Sequence, residues 1–341
     1  MRVSAVIPTY NRRAHTFRAI DSVLAQTLPV DEIIVVDDGS TDGTAEAIRS
    51  HYGSRVIVLS QANAGVSAAR NSGFRASHGD WLAFLDSDDV WLPEKLQQQF
   101  DAISTLGVGE FGACFTDSVF EGSAEMRLSA FKYAGLESSS KFGALDDAAR
   151  YVLARRPVIF VQCLLVRRSL MEELGGFDEA MVVSEDTDVL FRLALKTKVC
   201  FVAEPLVRID RTPSRDVGLC ELYGSKDDRV YDSLERMYSK WLALPPTLTS
   251  LHRAVIKEML LSTHYEYAIA KAGQFRLGSA LRKLHDAKEM ENGYGAVIAT
   301  LLSRGAKKFR RMAGRARTSC ARVVGSVGQR RSHLKNSQGS A

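Results

Sequence analysis

The chain has 341 residues, 45% hydrophobic and 25% charged, values ordinary for a folded globular protein and enough for one large domain with an appendage. Its five cysteines are odd in number and widely spaced, with no Cys-x-x-Cys pair, which argues against a disulfide framework or a cysteine-bound zinc and favours a reducing compartment. The formal net charge of +5 is unevenly placed: eleven Lys and Arg, and no Asp or Glu, lie between Leu301 and Ala341, leaving 34 basic residues against 40 acidic in the rest.

In chain order, Val3 to Ile7 is an apolar, branched run closed by Pro8 and predicts a buried strand. Phe17, Ile20, Val23 and Leu24 fall on one helical face, and Pro29 stops that helix. Glu32 to Val36 predicts a second strand, and Ser40, Thr41 and Asp42 are candidate caps for a helix running to Tyr52. Val56 to Leu59 is a third strand, and Val66, Ala69 and Gly73 line the helix that follows. Trp81 to Leu85 is a fourth. The Gly- and Ser-rich stretch from Phe120 to Leu145 reads as a loop or lid-like insertion. Val158 to Val166 then predicts a strand and Glu185 to Lys196 a helix, and Asp227 to Glu291 is mostly helical with a break at Pro245-Pro246.

Strands separated by helices of this length imply an α/β fold with a largely parallel sheet covered on both faces. Ligands of such sheets bind beyond the carboxyl ends of the strands. Three strands end there in polar clusters: Thr9-Tyr10-Asn11, Asp37-Asp38-Gly39-Ser40 and Asp86-Ser87-Asp88-Asp89. That edge is the expected site.

Each cluster has a chemical and a plain reading. Asp86 and Asp88, two apart at a strand end, can offer hard oxygen ligands to Mg2+ or Mn2+, which in turn holds a diphosphate. The same residues also suit an ordinary turn and helix cap before Pro93. Asp38 can accept the ring N–H of a pyrimidine base, or simply form an Asx turn. Arg70 follows the small residues Ala64, Gly65, Ser67, Ala68 and Ala69 and can meet a phosphate or base, although single helical arginines are usually solvated. Asp186, in Ser184-Glu185-Asp186-Thr187-Asp188, can act as a general base toward an acceptor hydroxyl, while acidic residues in a first helical turn are favoured by the helix dipole alone.

Together, Val6-Ile7-Pro8-Thr9-Tyr10-Asn11-Arg12, Val36 to Thr44, Asn63 to Asn71, Phe84 to Asp89, Gly175-Gly176-Phe177-Asp178-Glu179 and Ser184 to Asp188 resemble the family 2 glycosyltransferases over about residues 1 to 210. The resemblance implies a GT-A (Rossmann-like) mixed sheet flanked by helices. It implies inverting transfer from a nucleotide-sugar, usually a UDP-sugar. Pro8, Thr9, Tyr10 and Asp38 would then line the nucleoside pocket with Arg70 nearby. Asp86 and Asp88 match the metal-binding Asp-x-Asp, Asp186 matches the catalytic base and Glu185 its neighbour. There is one departure: where many members carry Tyr-Arg-x-His, this chain has Val207-Arg208-Ile209-Asp210, so the histidine position holds Asp210. The Gln-x-x-Arg-Trp of processive synthases is absent, which points to one sugar per encounter.

The expected organisation is a catalytic domain over 1–215, a helical extension over 216–300 and a basic tail over 301–341. Ile298 to Arg317 mixes Leu301, Leu302, Phe309 and Met312 with basic residues, suiting either an anionic membrane surface or a solvated tail. Aromatic residues are too sparse there to suggest nucleic acid. With no signal sequence and no apolar run of membrane length, the expectation is a cytoplasmic protein, peripheral at the inner face of the membrane if the tail binds lipid, acting on a glycan or lipid-linked acceptor. The competing classes are a nucleotidyltransferase on a similar sheet, for which a Gly- and Lys-rich phosphate loop is missing, and a non-catalytic nucleotide-sugar-binding module.

Overall fold

A computed structural model describes residues 1–122, 128–136, 138–154, 159–212, 227–244, 248–274 and 276–290; the tail expected over 301–341 and the Pro245-Pro246 break lie outside the described residues. The chain divides into two compact units, residues 1–260 and 261–341.

The first unit is built on a nine-stranded mixed sheet. β1 (Val3–Thr9), β2 (Glu32–Asp37), β3 (Ile57–Ser60) and β4 (Trp81–Phe84) are parallel, with Val6 aligned to Ile34 on one side and Phe84 on the other. Every residue of β1 and β4 is buried, as a strand covered on both faces requires. The connections are α1 (Arg13–Leu24), α2 (Thr44–Tyr52) and α3 (Val66–Ala76). α3 lies so close to β1 that a Cβ on Gly73 would come 2.4 Å from Val6 Cγ1, which explains a glycine in mid-helix.

Beyond β4 the sheet becomes mixed. After the two-residue β5 (Val90–Trp91) and α4 (Lys95–Leu106) comes β6 (Phe111–Glu121), whose partners are all distant in sequence. β8 (Leu164–Arg167) runs antiparallel to both β4 and β6, and β9 (Lys198–Asp210) runs parallel to β6. β5 and β7 (Phe142–Leu145) complete the sheet on β9. The strand order is β3-β2-β1-β4-β8-β6-β9-β5, with β7 also on β9.

The segment expected to be a loop from Phe120 to Leu145 thus starts inside β6, contains the short α5 (Ala130–Ala134) and ends in β7. One of its glycines has a packing reason: a Cβ on Gly143 would fall 2.4 Å from the Phe201 ring across the β7–β9 pair. The strand expected from Val158 begins only at Leu164, after α6 (Ala148–Val152) and a 3-10 turn over Val161–Cys163.

α7 (Arg168–Leu174) and α8 (Glu185–Ala194) precede β9, and α9 (Asp228–Leu242) follows it. α9 packs on α8: the Trp241 and Phe191 rings stack with centroids 4.0 Å apart, in a cluster with Ala149, Leu153, Met181, Met237, Leu248 and Ile256. The compact unit therefore runs past residue 215 and takes in α9. α10 (Ser250–Ala272) carries the chain into the second unit, where Tyr265 and Ala287 of α11 (Leu277–Met290) are buried with Leu261 and Leu284 packed against them. Among the described residues no helix is long and apolar enough to cross a membrane.

Candidate active site

The parallel strands deliver their carboxyl ends to one edge, and side chains there tie the loops together. Thr9 Oγ1 lies 2.7 Å from Thr16 Oγ1, fastening β1 to the first turn of α1, and leaves the Tyr10 ring 48% exposed. Pro8 is buried beside Val36. Asn11 holds φ +50; its N–H donates to Ser40 Oγ and its Oδ1 accepts from the Thr41 N–H, each at 2.8 Å. The only other non-glycine residue with a left-handed backbone among those described is Ser184, φ +61, just before α8. Strained backbone of this kind persists where the surroundings over-determine it, as at ligand sites.

Asp38 shapes the site as well as lining it. Its carboxylate accepts from Gln61 Nε2 at 2.7 Å and from the N–H groups of Ala64 and Gly65 at 2.9 and 2.8 Å, holding the loop that leads into α3. Three of a carboxylate's about four acceptor positions are thus taken within the chain.

Arg70, on α3, is turned differently from the ligand-facing arginine expected. It is buried, with Nη2 2.6 Å from Asp86 Oδ1 and Nη1 2.7 Å from Glu185 Oε1, and its guanidinium lies 5.3 Å from the Phe177 ring centroid. It joins the end of β4 to the start of α8, elements about a hundred residues apart. Desolvation works against its charge, but Asp86 and Glu185 outweigh that and hold the guanidinium's pKa up. Burial and the neighbouring charge of Asp186 raise the Glu185 carboxyl, with Arg70 opposing. Since a guanidinium does not deprotonate, Glu185 is the member of the pair that takes a proton as pH falls. Next to Arg70, Asn71 clamps the Gly175-Gly176-Phe177 loop: its Nδ2 donates to Phe177 O and its Oδ1 accepts from Phe177 N–H, both at 2.9 Å. Gly176, φ +73, is tightly placed, because a Cβ there would meet Asn71 Oδ1 at 2.5 Å.

The Asp86–Asp89 turn holds three carboxylates in different states. Asp86 is half-buried and bound to Arg70, and Asp88 is half-buried and bound to Arg12. Asp89 is 3% exposed and accepts from Gln162 Nε2 at 2.5 Å and from the Asp210 N–H at 2.8 Å. Burial, then the charges of Asp86 and Asp88, push the Asp89 carboxyl well above its usual range. Across from the turn, Asp186 is half-buried at the start of α8, with Oδ1 accepting from its neighbour's Thr187 N–H at 2.6 Å. Asp188, one turn in, is fully buried and takes Trp241 Nε1 at 3.0 Å, Lys240 Nζ at 2.7 Å and Arg192 Nε at 2.9 Å, so its role is to anchor α8.

The donor set suits a divalent cation. Asp86, Asp88, Asp89, Glu185 and Asp186 face only Arg12 and Arg70 as cations within the cluster, and Asp86 Oδ2 and Asp88 Oδ1 accept no hydrogen bond from the described residues. Asp86 and Asp88 are the half-exposed, hard oxygen ligands of this turn, of the kind that Mg2+ or Mn2+ takes.

Sequence reasoning assigned no role to Arg12 or Gln162. Arg12 stood in the first quoted motif, and its position directly after a polar strand end was the available signal. Gln162 carried none, since it reaches Asp89 across a separation of 73 residues.

The sequence profile described as glycosyl transferase family 2 matches residues 4–175, just over half of the chain. This chain belongs to glycosyl transferase family 2. Among relatives, an uncharacterized glycosyltransferase of Nostoc sp. is 43% identical over 111 residues, 32% of this chain and 34% of that protein. An uncharacterized glycosyltransferase of Rickettsia prowazekii is 31% identical over 207 residues, 60% of this chain and 63% of that protein. TuaG of Bacillus subtilis, named for teichuronic acid biosynthesis, is 39% identical over 102 residues, 29% of this chain and 40% of that protein. The match thus spans from about a third to less than two thirds of these relatives' lengths. Among solved structures, S. aureus TarS 1–349 in complex with UDP-GlcNAc superposes with a TM-score of 0.63 at 17% identity, covering 85% of this chain and 81% of that one. The mannosyltransferase PcManGT from Pyrobaculum calidifontis, in complex with GDP-Man and Mn2+, gives a TM-score of 0.52 at 20% identity, covering 90% and 79%. The fold is that of the GT-A glycosyltransferases, and the family domain is a glycosyltransferase domain.

Proposed function

We propose that this glycosyltransferase moves one sugar, with inversion, from a nucleotide-sugar to a hydroxyl of a glycan or lipid-linked acceptor. The observation that carries the reading is the convergence of Asp86, Asp88 and the Glu185-Asp186 pair on one sheet edge, linked through Arg70. The donor's nucleoside lies against Pro8, Thr9 and Tyr10, the exposed Tyr10 ring giving a face to stack on and the Asp38 carboxylate taking a base N–H. A UDP-sugar is the first choice; UDP-GlcNAc in one similar structure and GDP-Man in another keep both nucleotides under test.

Asp86 and Asp88 would hold Mg2+ or Mn2+, whose contribution when bound is to neutralise charge building on the leaving diphosphate. Asp186 takes the proton from the acceptor hydroxyl as that oxygen bonds to the anomeric carbon and the bond to the diphosphate oxygen breaks. A single displacement of this kind inverts the anomeric centre. Glu185 is not the base, because its carboxylate is buried and engaged by Arg70. Arg70 instead fixes the spacing between the Asp86 turn and Asp186.

Asp186→Asn keeps the shape and removes the basicity. It is expected to lower kcat by roughly a hundred- to ten-thousandfold, while UDP or GDP affinity in the presence of Mn2+, measured by calorimetry, stays unchanged; Asp88→Ala is expected to abolish the Mn2+-dependent part of that affinity. A fully active Asp186→Asn enzyme, or nucleotide binding indifferent to metal and to Asp88, removes the assignment.

A further inference from the structure

The two arginines that neutralise the acidic turn differ in freedom. Arg70 has a 4% exposed side chain shared between two carboxylates, and it cannot leave without stranding buried charge. Arg12 and Asp88 have side chains 30% and 32% exposed, and Asp88 is the one acidic partner of Arg12 among the described residues. Arg12 also begins a pattern. His15 and Arg18 follow at intervals of three, neighbours on one face of the first turns of α1, with Arg12 directly before the helix. That face looks along the acidic edge: Arg18 Nη2 stands 3.7 Å from Asp210 Oδ2. Burial alone would raise the Asp210 carboxyl, but the Thr212 hydrogen bonds, with the charges of Arg18 and His15, hold it below its usual range. Asp210 in turn donates its N–H to Asp89, so Asp88, Asp89 and Asp210 lie along the cationic face.

We propose that Arg12, His15 and Arg18 form a phosphate-binding strip for the donor's diphosphate, and that Arg12 transfers to it from Asp88 as the divalent cation arrives. The inference rests on the reading of Asp86 and Asp88 as cation ligands. A divalent cation on Asp88 Oδ1 repels the guanidinium on Oδ2 of the same carboxylate, and Arg12, half-exposed where Arg70 is buried between two carboxylates, is the arginine free to move away. The displaced guanidinium then needs an anion whose oxygens match its planar fork, and the diphosphate that accompanies the cation is such a group, whereas a neutral sugar hydroxyl is not. The strip also answers the departure at residue 210. A carboxylate there repels phosphate, and Arg18 and His15 stand close enough to offset its charge.

The consequence is thermodynamic coupling. Cation binding alone must break the Arg12–Asp88 pair, but cation binding with nucleotide returns a partner to Arg12, so each ligand strengthens the other by the same factor. The experiment is calorimetric titration of Mn2+, and of UDP and GDP with and without Mn2+, into the wild type, Arg12→Met, Arg12→Lys and the double variant His15→Gln with Arg18→Gln, each checked for an unchanged melting transition. Arg12→Met is expected to bind Mn2+ alone about threefold more tightly, the worth of a half-exposed ion pair, and nucleotide with Mn2+ roughly tenfold more weakly, the worth of a charged hydrogen bond. Arg12→Lys falls between, and the double variant weakens nucleotide without changing the affinity for Mn2+ alone. If Arg12→Met leaves both affinities unchanged, or weakens Mn2+ in the absence of nucleotide, the strip is refuted while the cation site stands. If the wild type binds neither Mn2+ nor nucleotide, the cation-ligand reading falls and the strip with it.

Discussion

Lys95 is fully buried, its ammonium 3.0 Å from Gln99 Oε1 and 4.2 Å from the centroid of the Trp91 ring. Burial lowers its pKa to about 7, with the neighbouring thiols of Cys163 and Cys114 opposing only weakly. In the unfolded chain the same amine titrates at 10.5. Between those values the unfolded chain holds a proton that the folded one lacks, so the Lys95 contribution to stability improves as pH rises from about 7 toward 10 and is at its worst below 7. Lys95→Met removes that titration and keeps most of the volume, at the loss of one hydrogen bond worth about 1 kcal/mol. Relative to wild type it is expected to be stabilised most at pH 6.5 to 7, by roughly 1–3 kcal/mol, with the advantage shrinking by pH 9.5. Burial pushes the thiols of Cys114 and Cys163 up in both proteins, with Lys95 opposing only in the wild type. Denaturant melts that differ by the same amount at every pH would show that folding does not neutralise Lys95.

At the scale of elements, the relation of α8 to α9 decides where the catalytic unit ends. Trp241 both stacks on Phe191 and donates to the buried Asp188, on the same helix that presents Glu185 and Asp186. Trp241→Ala therefore opens a cavity and takes a donor from a buried carboxylate, at a cost of about 3–5 kcal/mol. A chain ending at residue 215 loses α9 altogether and is expected to melt early and bind no nucleotide, whereas one ending at residue 260 keeps its melting transition. Equal melting temperatures for the two would break this account. The helix over 228–242 was legible from its period, but its partner was not, because nothing local in Trp241 points to Phe191 fifty residues earlier. The same limit applies within the sheet. β1 to β4 announce themselves as apolar runs punctuated by Pro8, Gly39 and Gly65. β6 and β7 do not, since their identity depends on pairing with β9, and at Gly143 the local signal for a loop masks a packing requirement of the Phe201 ring.

For the whole molecule, the convergence of the three polar clusters on one edge was readable because the parallel half of the sheet places β1, β2 and β4 ends together by topology alone. What could not be read was which charges neutralise each other there: Arg70 meets Glu185 across 115 positions, and Arg12 meets Asp88 across 76. The charge division along the chain carries a separate prediction. Eleven basic residues lie beyond residue 300, and without them acidic residues outnumber basic ones by 40 to 34. If the segment meets an anionic membrane near its acceptor, the full chain co-sediments with phosphatidylserine-containing vesicles, increasingly so at lower salt, and a chain ending at residue 300 does not. Co-sedimentation unaffected by the deletion would place the lipid contact elsewhere.

The pairing of Asp89 with Gln162 and with the Asp210 backbone has a temporal side. β1 to β4 are complete once residue 84 has left the ribosome, and they pair with one another without waiting for any later strand. Asp210 arrives 121 residues after Asp89. At synthesis rates of ~5–20 residues per second that interval is roughly 6–24 s, during which the nascent sheet edge carries its acidic turn without the partners that later satisfy it. Arg70, already made, can meet Asp86 in that time, while Glu185 is still to come. The half-sheet proposed to bind the nucleoside is thus assembled well before the half proposed to supply the base, and the candidate site is complete only when the last parallel strand docks.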